Sequence, residues 1–427
     1  MPGRRSAHRR PRSRQTRGRS LVGTQLTLEI GNVAHGGFCV ARADGRVVFV
    51  RHTLPGEQVV ATVTEGDTES RFLRADATQI LVASPERRSA PCPYAGPGLC
   101  GGCDWQHTSA AYGRVLKAQV VAEQLRRLAT LDVPVTVEPV PGDSDGLRWR
   151  TRVELAAAAP GRAGVRLGIR KHRSHEVLPV DDCLIAVEDV TATAIFTEVF
   201  DEGISGADVA VGSDETVVVE LPNHDPVPSL RQEVLDRSFQ VSARGFWQVH
   251  PGAASTFASV VLSALDPQPG DHVLDLYCGV GLFTAFLAAA AGPSGRVLGV
   301  EGDARAVEDA QDNIPTNATV VRSDVEAFFE SGGVESELGA VDLLVLDPPR
   351  AGAGRAVMQA ALARRPRRAA YVACDPAALA RDLAYAAEHG YRLASLRAFD
   401  AFPMTHHVEC IAILEPDARG TTIDGLV

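Results

Sequence analysis

Apolar and polar residues alternate in short runs near the start of the chain. Three such runs predict β-strands at residues 26–30, 47–50 and 59–63. Turn residues separate them, with Asp-Gly at 44–45 and Leu-Pro-Gly-Glu at 54–57. Short strands joined by such turns are typical of a small closed β-barrel, so residues 21–82 are expected to form one.

The apolar spacing changes to a helical period between residues 108 and 131. An apolar stripe that includes Val115, Leu116, Val120 and Leu125 predicts a helix, with the arginines and Lys117 on its other face. Short strand-like runs such as 165–169 follow. Residues 83–240 are therefore expected to form a central α+β domain.

From residue 241 to 416 buried strands alternate with helices. Strands are predicted at 272–276, 296–301, 319–323, 341–347, 369–373 and 411–414, and helices at 253–265 and 282–291. This alternation is typical of an α/β, Rossmann-like domain with an open parallel sheet. Ligands of such domains bind in the crevice outside the carboxyl ends of the strands.

Composition is that of a folded protein, with 45% hydrophobic and 22% charged residues. The longest apolar run, 282–291, is too short to cross a bilayer and ends at Gly-Pro. The basic start of the chain is not followed by the apolar segment of a secretory signal. We therefore expect a cytoplasmic protein with no membrane association.

Charge is unevenly distributed along the chain. Residues 1–20 contain eight arginines and no acid, and residues 21–427 carry 35 basic against 53 acidic side chains, a net charge of −18. The arm at 1–20 and the tail at 417–427 are expected to lie outside the folded domains. The arm is predicted to be disordered, and it either tracks phosphates or is a solvated tail. A second basic region at 148–180 is expected to contact phosphates.

Two residues of the last domain have reactive side chains in unusual positions. Cys374 follows a buried strand and precedes Asp-Pro, so its thiol is expected at the carboxyl end of the sheet. The alternative is a small buried residue that only packs. Glu409 enters a buried strand, where an unpaired carboxylate is costly, and this favours a functional role.

A glycine-rich turn follows the first strand of this domain. Tyr277, Gly279 and Gly281 belong to it, and the glycines let the backbone approach a ligand closely. Glu301 ends the next strand and is suited to accept hydrogen bonds from ribose hydroxyls, while Asp324 is placed to meet an adenine amino group. The fourth strand ends at Asp347. Nucleotides, flavins and methyl donors all bind at such turns.

The eight cysteines of this long chain favour metal ligation or catalysis over disulfides. Cys100 and Cys103 are three residues apart with glycines between them, and Cys92 lies eight residues upstream. Cys183 is the best candidate for a fourth ligand by its position. Zinc is the generic expectation for four thiolates.

Several motifs together resemble one known family. Residues 35–37, 49–50 and 54–57 resemble the TRAM domain, an OB-like barrel of RNA-modifying enzymes, and imply RNA binding. The Cys-Gly-Gly-Cys segment resembles the [4Fe-4S] segment of TRAM-bearing RNA uracil-C5 methyltransferases, with seven residues after Cys92 where the family has five. The resemblance implies cluster ligation by Cys92, Cys100, Cys103 and Cys183.

The same resemblance extends over the last domain. The Asp-Leu-Tyr-Cys-Gly turn, Glu301 and Asp347-Pro348-Pro349 resemble the class I methyltransferase fold, which binds S-adenosylmethionine. Cys374 and Glu409 match the family's nucleophile and base. Gln248 matches a residue that contacts the methyl donor and target base, and His250 replaces the usual Asn of that segment.

The resemblance implies methyl transfer from S-adenosylmethionine to C5 of a uridine in RNA, most closely that of 23S ribosomal RNA. A thiolate at position 374 would add to C6, and Glu409 would remove the C5 proton. No obligate protein partner is expected. The alternatives are a transfer RNA substrate, a catalytically inactive RNA-binding or iron–sulfur protein, and methyl transfer to a small molecule.

Overall fold

The computed structural model describes residues 18–161 and 164–417. Most of the predicted arm at 1–20 and tail at 417–427 lies outside these residues, as does Arg162. The chain divides into two compact units, and the boundary along the sequence lies between Arg87 and Arg88. The predicted domain limits at 21–82, 83–240 and 241–416 stay predictions.

The first unit is built from alternating strands. They are β1 (Gln25–Glu29), β2 (Val33–Ala34), β3 (Phe38–Ala43), β4 (Arg46–Arg51), β5 (Gln58–Glu65) and β6 (Phe72–Val82). They form one sheet in the order β1-β5-β6-β4-β3-β2, antiparallel except for the parallel pair β4 and β6. Alternate residues such as Val48, Val50, Val59 and Ala61 are fully buried. The three predicted strands are confirmed within two residues at each end.

The turn between β3 and β4 shows why Asp-Gly was informative. Asp44 and Gly45 have φ angles of 48° and 76°. A two-residue hairpin turn needs positive φ at both positions, and Asp and Gly tolerate it better than most residues.

The second unit begins with a helix, a small sheet and a hairpin. Its elements up to residue 242 are α1 (Ala110–Gln124) with a π-helical turn at Leu125–Ala129, β7 (Val137–Pro139), β8 (Arg152–Ala157), β9 (Leu167–Arg170), β10 (Val177–Pro179), α2 (Glu188–Ala192), β11 (Gly206–Val211), β12 (Thr216–Leu221), β13 (Ser229–Val234) and β14 (Arg237–Ser242). Strands β8 to β12 form an antiparallel sheet in the order β10-β9-β8-β11-β12, and β13 pairs with β14.

Helix α1 confirms the predicted helix but not its predicted faces. Ser109 caps its first turn by accepting a hydrogen bond from the Tyr112 backbone N–H. Lys117 was expected on the polar face, yet it is fully buried, because Asp400 supplies a carboxylate that pairs with its ammonium group. Val115, expected in the apolar stripe, is 47% exposed.

The remaining elements alternate as the sequence indicates. They are α3 (Ala253–Leu265), β15 (His272–Leu276), α4 (Leu282–Ala291), β16 (Arg296–Glu301), α5 (Ala304–Asn313), β17 (Ala318–Arg322), α6 (Val325–Glu330), α7 (Gly333–Glu337), β18 (Leu343–Leu346), α8 (Gly354–Leu362), β19 (Arg368–Ala373), α9 (Pro376–Glu388), β20 (Tyr391–Asp400) and β21 (Glu409–Pro416). The strands and helices predicted for residues 241–416 are confirmed, with small shifts at their ends.

One eight-stranded sheet organises this part of the chain, in the order β17-β16-β15-β18-β19-β21-β20-β7. Strands β15 to β19 are parallel, whereas β21 runs antiparallel to both of its neighbours. Alternate residues of each strand pack into the layers on the two faces: Leu274 lies in the core with α8 and α9, and Val273 in the core with α3 and α4. Strand β7 and helix α1 belong to these layers, although they were predicted in the central domain.

Within the described residues, no helix combines the length and the apolar character needed to span a bilayer.

Candidate active site

Cys374 lies where β19 ends and α9 begins. The next residue, Asp375, caps the helix, since its Oδ1 accepts hydrogen bonds from the backbone N–H groups of Ala377 (3.0 Å) and Ala378 (2.8 Å). Pro376 occupies the first helical turn, where a backbone N–H would lack an intrahelical partner. The thiol is thereby fixed, half-buried, at the carboxyl end of a parallel strand.

Glu409 reaches the same point from the opposite direction. Strand β21 is antiparallel to β19 with Cys410 opposite Ala373, so one residue further along each strand Glu409 lies beside Cys374. Glu409 is 4% exposed, which confirms that it enters a buried strand. Its carboxylate accepts no hydrogen bond from the described part of the chain.

The surroundings of both groups favour their protonated forms. Burial, followed by the charges of Glu409 and Asp347, raises the pKa of the Cys374 thiol to about 12. Burial and then Asp347 raise the pKa of Glu409 well above its usual range. The thiolate that the resemblance implies at position 374 is therefore disfavoured in the ligand-free site, because burial and nearby carboxylates oppose a further negative charge.

Two residues that follow β18 complete this region. Burial, together with neighbouring carboxylates, raises the pKa of Asp347 to about 7. Arg350 is exposed, and its positive charge acts against the raised pKa values of Cys374 and Glu409. Arg350 was missed by the sequence reasoning, although its position directly after Asp-Pro-Pro at a strand end is a usable signal.

A buried aspartate fixes the loop that starts at Asp347. The Oδ2 of Asp382, on α9, accepts hydrogen bonds from the backbone N–H groups of Ala353 (2.7 Å) and Gly354 (3.2 Å). It also accepts one from the Tyr371 hydroxyl, and it is only 2% exposed. The loop end is therefore attached to the helix that follows Cys374.

The turn between β15 and α4 contains an open space and an unsatisfied oxygen. Gly279 has φ 56°, its N–H donates to Glu301 Oε2 (3.0 Å), and a Cβ built there would meet no atom within 4 Å. Thr284 donates to Asp275 Oδ2 (2.6 Å), while the buried Asp275 Oδ1 has no hydrogen-bond partner among the described residues. Buried polar oxygens normally have partners, so this geometry fits a bound ligand.

The other residues that are predicted to bind the methyl donor lie in or near this turn. Tyr277 and Gly281 have φ angles of 62° and 88°. Asp324 caps α6 by accepting hydrogen bonds from the N–H groups of Glu326 (3.0 Å) and Ala327 (3.1 Å). Burial, and next the Asp324 charge, raise the pKa of the Tyr277 hydroxyl to about 12, so these two side chains lie near each other.

Gln248 lies in a loop between β14 and α3. Phe246 is 74% exposed there, while Trp247 is buried. His250 is also buried, stacked on Trp149 with ring centroids 6.0 Å apart, and its Nδ1 accepts a backbone hydrogen bond. Gln248 is half-buried.

The four cysteines singled out from the sequence line one cavity of about 350 Å³. They are free, partly exposed thiols: Cys92, Cys100, Cys103 and Cys183. Burial raises the pKa of Cys103, and the charges of the other three thiolates add to the effect. Across the described residues, no three or more His, Cys, Asp or Glu side chains are grouped closely enough to hold a metal ion. The thiols thus share one cavity, and the cluster itself stays a prediction.

Backbone geometry supports the Cys-Gly-Gly-Cys loop. The Gly102 N–H donates to Cys100 Sγ (3.3 Å), and the Gln106 side chain donates to Cys103 Sγ (3.4 Å). A Cβ at Gly101 would lie 2.8 Å from the His172 Cα, so only glycine fits there.

The arginines of the basic region at 148–180 differ in their surroundings: some make hydrogen bonds within the protein, and others line a cavity. Arg148 makes two hydrogen bonds to Asp182 (3.0 and 2.6 Å), and Arg152 donates to three backbone carbonyls. Arg150 and Arg170 instead line the four-cysteine cavity. Arg148 and Arg152 are therefore engaged within the protein rather than available to phosphates.

The strand order, the antiparallel β21, the glycine turn after β15 and the acid that ends β16 together define the class of protein. They are the features of a class I S-adenosylmethionine-dependent methyltransferase domain, with its ligand crevice at the carboxyl edge of the sheet.

Comparison with known proteins narrows this class. The model of the tRNA (uracil-5-)-methyltransferase family matches residues 231–417, and the TRAM domain model matches residues 19–78. An uncharacterized RNA methyltransferase of Streptomyces coelicolor is 48% identical, covering 94% of this chain and 95% of the relative. The 23S rRNA (uracil(1939)-C(5))-methyltransferase RlmD of Thiobacillus denitrificans is 31% identical over 91% of this chain and 99% of its own.

Among solved structures, the tRNA (uracil-54, C5)-methyltransferase of Pyrococcus abyssi, in complex with S-adenosyl-L-homocysteine, has the same fold. Its TM-score is 0.65 at 20% identity, covering 91% of this chain and 100% of that one. The protein belongs to the TRAM-bearing RNA (uracil-5-)-methyltransferase family.

Proposed function

We propose that the protein transfers a methyl group from S-adenosylmethionine to C5 of a uridine in 23S ribosomal RNA, through a covalent bond between Cys374 and C6. The observation that carries this proposal is the position of Glu409 beside Cys374 at the carboxyl edge of the sheet. A nucleophile and a base beside each other are what addition to the ring and removal of its proton require.

Cys374 acts first. The thiol proton of Cys374 is released to solvent and its sulfur forms a bond to C6, while the electron pair of the C5–C6 double bond moves so that C5 becomes nucleophilic. S-adenosylmethionine supplies a methyl group made electrophilic by a sulfonium charge. Once C5 holds both methyl and hydrogen, Glu409 takes the C5 proton. The double bond re-forms and the bond between C6 and the Cys374 sulfur breaks.

The buried position of Glu409 suits this order of events. Burial and Asp347 raise the pKa of Glu409. The positive sulfonium charge of the methyl donor, when bound nearby, would favour the carboxylate form of Glu409. When the sulfonium charge disappears on methyl transfer, the proton affinity of Glu409 increases. Glu409 is thus the stronger base at the step that needs one.

The donor fits the turn after β15. Glu301 ends β16 and Asp324 lies just after β17, the neighbouring strand; they are assigned to the ribose hydroxyls and the adenine amino group. Tyr277, Gly279 and Gly281 form the backbone cradle, and the open space at Gly279 admits the donor. Asp347 and Gln248 are assigned to the uracil edge and the donor.

The choice of 23S ribosomal RNA is supported by relatives named for that substrate, which are 31% identical over more than nine-tenths of this chain. Transfer RNA is the second candidate, because the family model and the solved structure are named for it. The TRAM domain and Phe246, exposed near Gln248, are proposed to grip the RNA and stack on an unpaired base. We place the enzyme in the cytoplasm, where these RNAs are found.

Mapping 5-methyluridine tests the substrate. Total RNA from a strain that lacks the gene is digested, and 23S and transfer RNA fragments are compared by mass spectrometry with those of the parent. Loss of a single methyl group from 23S RNA supports the proposal, and complementation with Cys374→Ala should not restore it. Loss of 5-methyluridine only from transfer RNA would contradict the assignment to 23S RNA and make transfer RNA the substrate.

We further propose that Cys92, Cys100, Cys103 and Cys183 bind a [4Fe-4S] cluster. The donor chemistry fits, since four soft thiolates share a cavity of about 350 Å³ and two of them accept N–H···S hydrogen bonds. The cluster is assigned a structural role, because methyl transfer needs no redox step.

The cluster assignment is tested by iron and acid-labile sulfide content after anaerobic purification. We expect four of each per chain in the wild type, and loss of both in Cys100→Ser and Cys183→Ser. Cys39→Ala is the matched control, because Cys39 is buried in the first unit. Zinc in place of iron, or reversible control of methylation by cluster reduction in the intact fold, would contradict the assignment.

A further inference from the structure

The loop at residues 401–408 leads from β20 directly to Glu409. The residues around Cys100 and Cys103, here called the four-cysteine segment, hold this loop. Asp104 follows Cys103 in that segment. Its Oδ2 accepts a hydrogen bond from the His406 backbone N–H (3.0 Å) and lies 2.6 Å from the His406 Nδ1. One carboxylate oxygen thus holds both the backbone and the ring of a residue three positions before Glu409.

A second pair of hydrogen bonds reaches the same loop. The Met404 carbonyl accepts from the backbone N–H groups of Asp104 (2.9 Å) and Trp105 (3.0 Å). Met404 has φ 62°, a left-handed conformation that a residue with a side chain adopts only when its surroundings impose it. The segment that contains Cys103 therefore fixes the path of the loop.

Packing joins the loop to the cysteine cavity as well. The Met404 side chain is buried in a small apolar cluster with Trp149 and Ile185. Cys103 and Cys183, two of the four candidate ligands, pack against the same cluster. Met404 and these two cysteines therefore pack in the same apolar cluster.

The start of the loop has an independent anchor. The buried Lys117 ammonium group pairs with Asp400 and donates to the Phe402 carbonyl (3.0 Å). The region from Asp400 to Phe402 is thus held by α1. Between Phe402 and Glu409, Thr405 makes hydrogen bonds within the loop, and Asp104 supplies hydrogen bonds to it from another part of the chain.

We propose that Asp104 and His406 are positioning residues through which the folded four-cysteine segment holds Glu409 in place to remove the C5 proton. The proposal rests on the proposed function, in which Glu409 is that base. Neither residue touches the reacting atoms. Loss of the pair leaves the bond from Cys374 to C6 and the methyl transfer intact. It slows the step in which the C5–H bond breaks, the proton moves to Glu409 and the thiolate leaves.

The lifetime of the covalent enzyme–RNA adduct measures that step. Purified enzyme, donor and a 23S RNA fragment are mixed and quenched, and the adduct is followed on denaturing gels. His406→Ala should resolve the adduct about tenfold more slowly than wild type, the effect of losing one charge-assisted hydrogen bond. Asp104→Ala should be slower still, because it also loses the bond to the His406 backbone N–H. The double variant should be no slower than Asp104→Ala, because that variant already lacks both contacts.

Two further variants separate positioning from general damage. Asp104→Asn loses the charge but keeps an oxygen that accepts from the His406 backbone N–H, so it should resolve the adduct faster than Asp104→Ala and more slowly than wild type. Asp214→Ala removes an exposed ion pair with Arg231 in the same unit and should match wild type in every assay. Affinity for S-adenosyl-L-homocysteine should be unchanged in all of these variants.

Amide hydrogen exchange supplies a readout that does not depend on turnover. In Asp104→Ala, the amides of residues 404–409 should exchange faster than in wild type, while those of β15 and β16 keep their protection. Unchanged exchange in 404–409 would overturn the proposal.

The outcomes distinguish this inference from the function on which it rests. If Asp104→Ala and His406→Ala resolve the adduct at the wild-type rate while Glu409→Gln traps it, the positioning role is wrong and the proposed function stands. If Cys374→Ala methylates RNA as fast as wild type, the proposed function fails, and this inference fails with it.

Discussion

The two halves of the carboxyl edge of the sheet hold their acidic groups in different ways. In the donor half, at β16 and β17, Glu301 and Asp324 accept hydrogen bonds from backbone N–H groups. In the catalytic half, at β18, β19 and β21, Asp347, Cys374 and Glu409 accept none from described side chains or backbone.

This difference separates binding from proton transfer. Backbone hydrogen bonds fix the direction of a carboxylate, which suits groups that must orient a ligand. Crowded groups without such bonds have high proton affinities that respond strongly to an added charge, which suits groups that exchange protons. Each half can be tested by a variant that should affect only its own task.

Cys374→Ala should have the largest effect. Without a nucleophile, C5 is not activated, and turnover should fall by about 10⁴-fold or more. Donor affinity and melting temperature should match wild type, because the donor half is untouched. Measurement of 5-methyluridine formation and of S-adenosyl-L-homocysteine binding checks both statements, with Cys39→Ala as the control. Equal losses of donor affinity and turnover would contradict the assignment of donor binding and chemistry to different halves of the sheet edge.

Glu409→Gln should lower turnover by about 10² to 10⁴-fold, the usual contribution of a general base. The amide cannot take the C5 proton, so the adduct at Cys374 should accumulate. Denaturing gels of enzyme mixed with RNA and donor show the accumulation directly. A variant that turns over at the wild-type rate would remove Glu409 from the mechanism.

Glu301→Ala tests the donor half. Loss of the carboxylate that is proposed to accept from two ribose hydroxyls should weaken donor binding by about 10 to 100-fold. Adduct chemistry at saturating donor should be nearly unchanged. Calorimetric titration with S-adenosyl-L-homocysteine measures the affinity. Asp303→Ala is the control, since it removes the cap of α5 and is expected to lower stability without weakening donor binding.

The pH dependence of thiol alkylation tests the catalytic half. With the Cys374 pKa raised to about 12, the thiolate fraction rises tenfold per pH unit at every pH below that value. Alkylation of the ligand-free enzyme at Cys374 should therefore increase without a plateau from about pH 7 to pH 10, whereas an ordinary thiol levels off near its pKa of ~8.5. Cys374→Ala supplies the background, and a plateau near pH 8.5 would contradict the raised pKa.

The sheet was predictable because each reactive residue directly follows or starts a buried strand. Cys374, Glu301 and Asp347 were located from apolar runs alone, and the strand ends confirm their positions. Sequence patterns did not reveal that β21 inserts antiparallel beside β19, which is the reason Glu409 meets Cys374. That pairing depends on contacts between strands rather than on local residue preference.

The regions outside the sheet show where sequence patterns fail. Lys117 was assigned to a polar face, because nothing local indicates that Asp400, far along the chain, supplies its partner. Sequence patterns also do not indicate the raised pKa of Cys374, because burial and neighbouring carboxylates are tertiary effects. Asp104 and His406 were unremarkable as separate residues, and only folding brings them together.

Mass spectrometry of the trapped adduct tests the central claim most directly. Glu409→Gln is incubated with RNA and S-adenosylmethionine and digested with trypsin and nuclease, and the peptide of residues 369–381 is sequenced. The account predicts a methylated uridine attached to Cys374. An adduct on any other cysteine, or an unmodified Cys374 in a variant that still makes 5-methyluridine, would contradict it.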